Sequence, residues 1–177
     1  MKTSVFVGTS LDGFLARPDG AFDFLGEGGE EHGYTDFFAS VDAVLIGRKT
    51  YEVVLGFGGW VYGKKPVFVL STRPLAPAPS DAVLERLSGE PADVIATLEA
   101  RGFRHLYVDG GETIQRFLRA GLIGRLVITR VPVLIGEGIP LFGPIGRDIP
   151  LKHIATRQYA SGLVQSEYEV VTSGAAT

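Results

Sequence analysis

Several short runs of this chain are apolar at every position. Ala43 to Ile46, Val67 to Leu70 and Leu106 to Val108 have no polar residue to turn toward water. Such runs suit strands covered on both faces, as in parallel sheets with crossover helices above and below. Between them the spacing changes. Tyr34, Phe37, Phe38 and Val41 recur at helical intervals, and so do Tyr51, Val54 and Leu55. Val94, Ile95 and Leu98 mark a third helix, and Thr113, Ile114, Phe117 and Leu118 a fourth. Pro91 is placed to open the third, while Gly102 and Gly121 are placed to close the third and fourth. Val5 to Val7 reads as a first strand and Val83-Leu84 as a short one.

After Gly121 the character shifts. Leu126 to Val133 is β-rich, and Gly136 to Gly146 is a glycine-rich loop, either a bulged connection under a pocket or an ordinary long hairpin loop. Ile154 to Tyr159 and Val164 to Val171 read as two strands joined near Ser161-Gly162, an antiparallel hairpin. The prediction is an α/β domain over residues 1–172, a mixed and mainly parallel sheet with helices on both faces and a C-terminal hairpin. Pro74 to Ser80 is a loop, and residues 173–177 are a disordered tail.

Composition narrows the function. Apolar residues make up 45 % of 177, enough for a full core. A net charge of -3 gives no basic footprint, which argues against nucleic acid or an anionic membrane as partner. The absence of cysteine removes disulfides, thiolate nucleophiles and cysteine-built metal sites. His32, His105 and His153 match no ligand spacing, so no metal is expected. No run has the length of a membrane span or a signal peptide, so the expected location is the cytoplasm.

Four candidate loops follow strands at their C-terminal ends, the edge where open α/β sheets bind ligands. In Asp42 to Tyr51 an apolar run ends at Gly47, and Arg48, Lys49 and Thr50 then begin a helix. The free N–H groups of a helix start favour an anion, and these cations add full charges where they oppose the dipole. A bound phosphate would resolve that conflict; the alternative is a solvated helix start. Asp109 to Thr113 is a strand, two glycines and a helix, which suits close approach of a pyrophosphate or a simple tight turn. Ser71, Thr72 and Arg73 add two hydroxyls and a guanidinium, which bind phosphate or merely form a solvated turn. Thr9 to Phe14 is the remaining exit. Together the exits suit a dinucleotide with an extra phosphate on its adenosine ribose.

In order and spacing, these residues resemble the dihydrofolate reductase-like superfamily. Within it they are most similar to the reductase domain of the bifunctional riboflavin-biosynthesis deaminase-reductase and its stand-alone bacterial relatives. The marks are Ser10 to Ala16, Leu45 to Glu52, Val69 to Arg73, Val108 to Thr113 and Pro132 to Phe142. The resemblance implies an eight-stranded sheet binding NADPH across its C-terminal edge, commonly in a homodimer. Gly47, Arg48 and Thr50, with Lys49 beside them, match contacts to the adenosine phosphate and pyrophosphate. Leu70 and Ser71, followed by Thr72 and Arg73, match positions around the adenine and its ribose phosphate. Gly110, Gly111, Glu112, Thr113 and Ile114 match the pyrophosphate-binding helix start, and Ser10 and Leu11 the neighbourhood of the nicotinamide.

One departure bears on substrate. Folate reductases carry an acid on the first helix, and alignment on Phe37-Phe38 places Tyr34 there. Asp36 is two positions further, about 200° around the helix. Folate reduction is therefore not expected. The implied reaction is hydride transfer to a C=N or C=O carbon of a small, heterocyclic substrate. Asp12 is the first candidate for relaying the proton, with Tyr34 and Glu137 behind it. Asp12 also suits plain Asp-Gly turn chemistry. Phe14, Phe22, Phe24, Tyr34, Trp60, Ile139 and Phe142 are candidates to line an apolar substrate pocket, against the alternative of ordinary core. The competing expectation is a ligand-binding module of the same fold without turnover.

Overall fold

The wholly apolar runs become the centre of one sheet. The computed structural model describes residues 1–26 and 32–172, and the tail expected at 173–177 lies outside them. In chain order it forms β1 (Lys2–Ser10), β2 (Phe14–Ala16), a 3-10 turn at Asp23–Leu25, α1 (Tyr34–Ser40), β3 (Ala43–Gly47) and α2 (Arg48–Leu55). Then come β4 (Val67–Leu70), β5 (Leu84–Leu87), α3 (Pro91–Ala100), β6 (His105–Asp109) and α4 (Gly111–Arg119). β7 (Arg125–Val131), β8 (Ile139–Pro140), β9 (Leu151–Gln158) and β10 (Val164–Val170) complete it. No helix among the described residues is long and apolar enough to cross a membrane.

The main sheet has eight strands in the order β5-β4-β3-β6-β1-β7-β10-β9. From β5 to β7 every neighbouring pair is parallel, and β10 runs antiparallel between β7 and β9. Alternation along the strands divides the core in two. Val5, Val7, Leu45, Leu106 and Val108 meet α3 and α4 through Leu98, Ile114 and Phe117. Val44, Ile46, Val67, Val69 and Tyr107 meet α1 and α2 through Phe37, Tyr51 and Val54. Full burial of side chains of this size contributes roughly 1.5–3 kcal/mol each.

β1 and β6 separate early. Their ladder ends at Ser4–Tyr107, yet β1 continues beside β7 to Ser10–Val131. β6 likewise continues beside β3 to Ile46–Asp109. The sheet therefore opens between β1 and β6 toward their C-terminal ends. The Tyr107 hydroxyl bridges the base of the opening by donating to the Phe6 carbonyl at 2.9 Å.

Gly136 to Gly146 is more ordered than a glycine-rich loop. Its two-residue strand β8 pairs antiparallel with β2, which the sequence did not reveal, with a shifted register between Phe14 and Ala16. The Leu141 N–H donates to Gly13 O at 3.0 Å. Gln115 Nε2, on α4, donates to Pro140 O at 3.1 Å and holds the small sheet over the start of that helix. β9 begins earlier than its hydropathy suggested, because an exposed edge strand carries little apolar signal.

Phe117 lies fully buried between α4 and the sheet. Phe117→Ala should lower the unfolding free energy by about 3–5 kcal/mol, read from the midpoint of a urea titration.

Candidate active site

The C-terminal ends of β1, β3, β4 and β6 share one edge, as parallel pairing requires. Gly47 pairs with Leu70, which puts Leu70 and Ser71 beside the β3 exit. A Cβ on Gly47 would lie 2.8 Å from Thr113 Oγ1, and one on Gly110 would strike Thr50 Oγ1. Gly110 has φ 93°, a left-handed conformation that favours glycine. Leu15 and Ile139 of the small sheet lie against Gly111. The exits at 47–50, 70–73 and 110–113 thus form one continuous rim under that sheet. Ser10 and Leu11 stand on the other side of the opening.

This rim is suited to anions through its backbone. Neither α2 nor α4 has a side-chain cap, so their first N–H groups remain available to a ligand. The cations are less free than the sequence suggested. Arg48 pairs with Glu52 one turn on, and Lys49 Nζ lies 3.7 Å from Glu112 across two exposed side chains. Exposed pairs of this kind contribute little and exchange readily for a better anion. The Ser71 hydroxyl accepts from Arg73 N at 3.0 Å and donates to Arg73 O at 2.8 Å, which shapes the turn. Thr72 and Arg73 are exposed. Ile114 is fully buried and its N–H donates to Gly110 O, so it supports the helix start from behind.

The acids divide differently from the sequence expectation. Asp12 is a clamp. Its carboxylate accepts from Gly136 N at 2.8 Å and Ile135 N at 3.3 Å. Ser10, which itself accepts from Phe14 N, also bonds it. The Ser10 bond, aided by the two backbone donors, holds the Asp12 carboxyl below the usual carboxylate range. A carboxylate kept ionised in this way is a poor proton donor; it ties the end of β1 to the segment before β8. Glu137 is exposed on that segment.

Asp109 has the opposite character. It ends β6 at the opening, on the sheet face that carries Tyr107. Burial raises its pKa, against the lowering effects of the Gly110 N–H at 2.8 Å and the Tyr107 hydroxyl. No cation neutralises it among the described residues. Tyr34 packs edge-on to Phe6 and stacks on Phe38, and burial together with Asp109 pushes its pKa up to about 12. Asp109 of β6 thus stands close enough to Tyr34 of α1 for its charge to act on that hydroxyl. In the sequence Asp109 leads into the Gly110-Gly111 turn, and an acid closing an otherwise apolar strand is the local signal that sets it apart. The Thr9 hydroxyl, near the end of β1, is a further polar group here. It is buried beside the opening with no partner among the described residues.

The apolar candidates separate as well. Phe14, Ile139 and Phe142 belong to the small sheet and its exit, the last two well exposed. Phe22 is exposed and meets Phe57 edge-on. Phe24 is half-buried beneath the Arg17 guanidinium. Trp60 turns inward between Tyr51 and Tyr62, which is core packing.

The RibD C-terminal domain family matches residues 2–165. YwjB of Bacillus subtilis (strain 168), itself uncharacterized, is 32 % identical over 171 residues, spanning 94 % of this chain and 97 % of YwjB. A crystal structure from Shewanella sp. PV-4, of a protein provisionally placed in riboflavin biosynthesis, shares 38 % identity at TM-score 0.90. The match covers 97 % of this chain and 100 % of that one. The Thermotoga maritima diaminohydroxyphosphoribosylaminopyrimidine deaminase/5-amino-6-(5-phosphoribosylamino)uracil reductase is alike in fold, at TM-score 0.73 and 14 % identity. That match covers 96 % of this chain and 56 % of the bifunctional one.

Gly110→Ala should destabilise the protein by about 1–3 kcal/mol through its left-handed backbone and its collision with Thr50. Adding Thr50→Ala should recover only the steric part, so thermal melts of the two variants separate strain from clash.

Proposed function

This chain belongs to the RibD C-terminal domain family, and from that premise we propose that it is a single-domain NADPH-dependent reductase over residues 1–172. It reduces a C=N or C=O bond of a small heterocyclic molecule, as a cytoplasmic homodimer. The observation that carries this reading is the opening between β1 and β6. An uncapped, glycine-led helix start lies on one side of it and Ser10-Leu11 on the other. It is a crevice at the sheet's topological switch point, the usual ligand position in such folds. The open α4 N–H groups and the orphan Thr9 hydroxyl are what a dinucleotide site would supply.

In this reading Gly110 to Thr113 hold the pyrophosphate, and Gly111 leaves room for Leu15, Ile139 and the Pro140 carbonyl to close over the helix start. Gly47 to Thr50 and Leu70 to Arg73 hold the adenosine end, and Arg48 exchanges Glu52 for the ribose phosphate. Leu15 and Ile139 exclude water from above the rim. NADPH, when bound, supplies the hydride. Asp109 holds the proton at its carboxyl and delivers it to the substrate nitrogen or oxygen, with Tyr34 setting the polarity beside it. Asp12 positions the loop it clamps. The alternative of a binder without turnover rested on the tyrosine standing at the helix-acid position, and Asp109 weighs against it.

Arg48→Ala should weaken NADPH binding more than NADH binding, since a lost charge-assisted contact costs about 1.5–3 kcal/mol. Equal effects on both cofactors, measured by fluorescence titration, would place the ribose phosphate elsewhere. Asp109 also links activity to pH. Its folded pKa lies above the unfolded value, so the folded state holds the proton more tightly. That contribution to stability is fully present below the unfolded pKa and is lost as pH rises through the folded one. Turnover should fall over the same rise, as the acid ionises. Asp109→Asn should abolish turnover while retaining NADPH binding. It should also be more stable than the parent near neutral pH, with the gap closing on acidification, as followed by chemical denaturation at several pH values.

A further inference from the structure

The segment after α2 reads Gly56-Phe57-Gly58-Gly59-Trp60-Val61-Tyr62-Gly63, with no charged residue between Glu52 and Lys64. Trp60 and Tyr62 anchor it inward on the core beside Tyr51. Phe57 is left outward, 47 % exposed, and its ring meets that of Phe22, 39 % exposed, with centroids 5.7 Å apart and planes at 82°.

The position of this ring pair follows from the sheet. Phe22 leads into the turn at Asp23–Leu25, and the Leu25 side chain lies over Gly8 of β1, on the face that carries α1. Phe57 follows α2, which covers β3 and β4 on the same face. β6 lies between β3 and β1. The pair therefore spans the strip above β6, the strand that ends at Asp109, with Tyr34 on the same side. Two large apolar rings left in water carry a cost that a ligand would relieve.

The cations nearest the pair in sequence each have a partner. Arg17 makes a two-point contact with Asp23 at 2.6 and 2.9 Å. Lys64 donates to Asp81 O at 3.0 Å. Lys65 donates to the Val41 carbonyl and stands 4.7 Å from the Phe38 ring. An anionic tail placed against Phe22 and Phe57 would lose water and gain a counter-charge only by displacing Asp23 from its two-point contact with Arg17. A flat neutral ring would gain edge or stacking contacts with both.

We propose that Phe22 and Phe57 are the specificity-determining residues of this site. They admit flat, uncharged heteroaromatic substrates and reject those carrying a phosphate or carboxylate tail. The proposal rests on the reductase reading above. It separates this chain from the phosphoribosyl substrate that the Thermotoga maritima protein is named for.

Two probes isolate the charge: the bis-amide of 7,8-dihydrofolate and 7,8-dihydrofolate itself carry the same reducible ring and the same benzoyl linker without and with the two carboxylates. Calorimetric titration of each into the full chain saturated with NADP+ gives the comparison without turnover. The neutral bis-amide should bind at least about tenfold more tightly, the equivalent of one charge-assisted contact. Phe57→Arg, at an exposed position, should tighten dihydrofolate about tenfold and narrow or reverse the preference. Equal or tighter binding of dihydrofolate to the parent protein, binding of neither probe, or no gain in Phe57→Arg would overturn the proposal. Failure of NADP+ itself to bind, in the same instrument, would instead remove the reductase reading on which it stands.

Discussion

The parting of β1 from β6 is the constraint on which the rest of the structure depends. Two adjacent parallel strands normally share a ladder along their common length, because unpaired backbone groups are costly when buried. Here the ladder stops at Ser4–Tyr107, and each strand completes its pairing with its other neighbour. The Tyr107 hydroxyl satisfies the Phe6 carbonyl at the point of divergence. That one side-chain bond supplies the Phe6 carbonyl with the donor the ladder no longer provides. Everything that reads as a site lies along the opening or on the rim above it.

The groups around the opening are uncomfortable in ways the core is not. Asp109 is an acid with a raised pKa and no cation beside it among the described residues. Thr9 has a buried hydroxyl with no described partner. Phe22 and Phe57 leave their rings in water. Each carries a free-energy cost that packing elsewhere offsets. Their gathering around one opening is the pattern expected where a fold holds a ligand. Asp12 behaves otherwise: its carboxylate is fully engaged by backbone donors and stabilises the loop that bears it.

Much of the architecture was legible because local signals agreed with it. Apolar runs bounded by glycine gave β3, β4 and β6, and apolar spacing with Pro91 and Gly102 gave α3 within a residue or two. β2 and β8 were not legible. A three-residue and a two-residue strand have no periodicity, and their pairing depends on Leu141, Gly13 and the distant Gln115. The cationic start of α2 is visible in the sequence, and so is its partner, since Glu52 stands one helical turn from Arg48. Asp109 was visible in the sequence as a residue, though not as an acid whose burial raises its pKa. Around it stand Tyr34, Tyr62 and Tyr107, from separate parts of the chain, whose own pKa values its charge raises.

The sequence by itself determined that this chain is a mainly parallel α/β sheet whose strand exits carry glycines, hydroxyls and cations at one edge. Short-range periodicity and turn chemistry are enough for that, since parallel strands joined by crossover helices must end on the same side. Only the tertiary structure decided where the sheet opens and which acid faces the opening. It also decided that Phe22 and Phe57, distant in the chain, meet as one exposed aromatic pair. Those outcomes depend on ladder register and on contacts between residues far apart in the chain, where desolvation and charge are set by neighbours that no local pattern specifies.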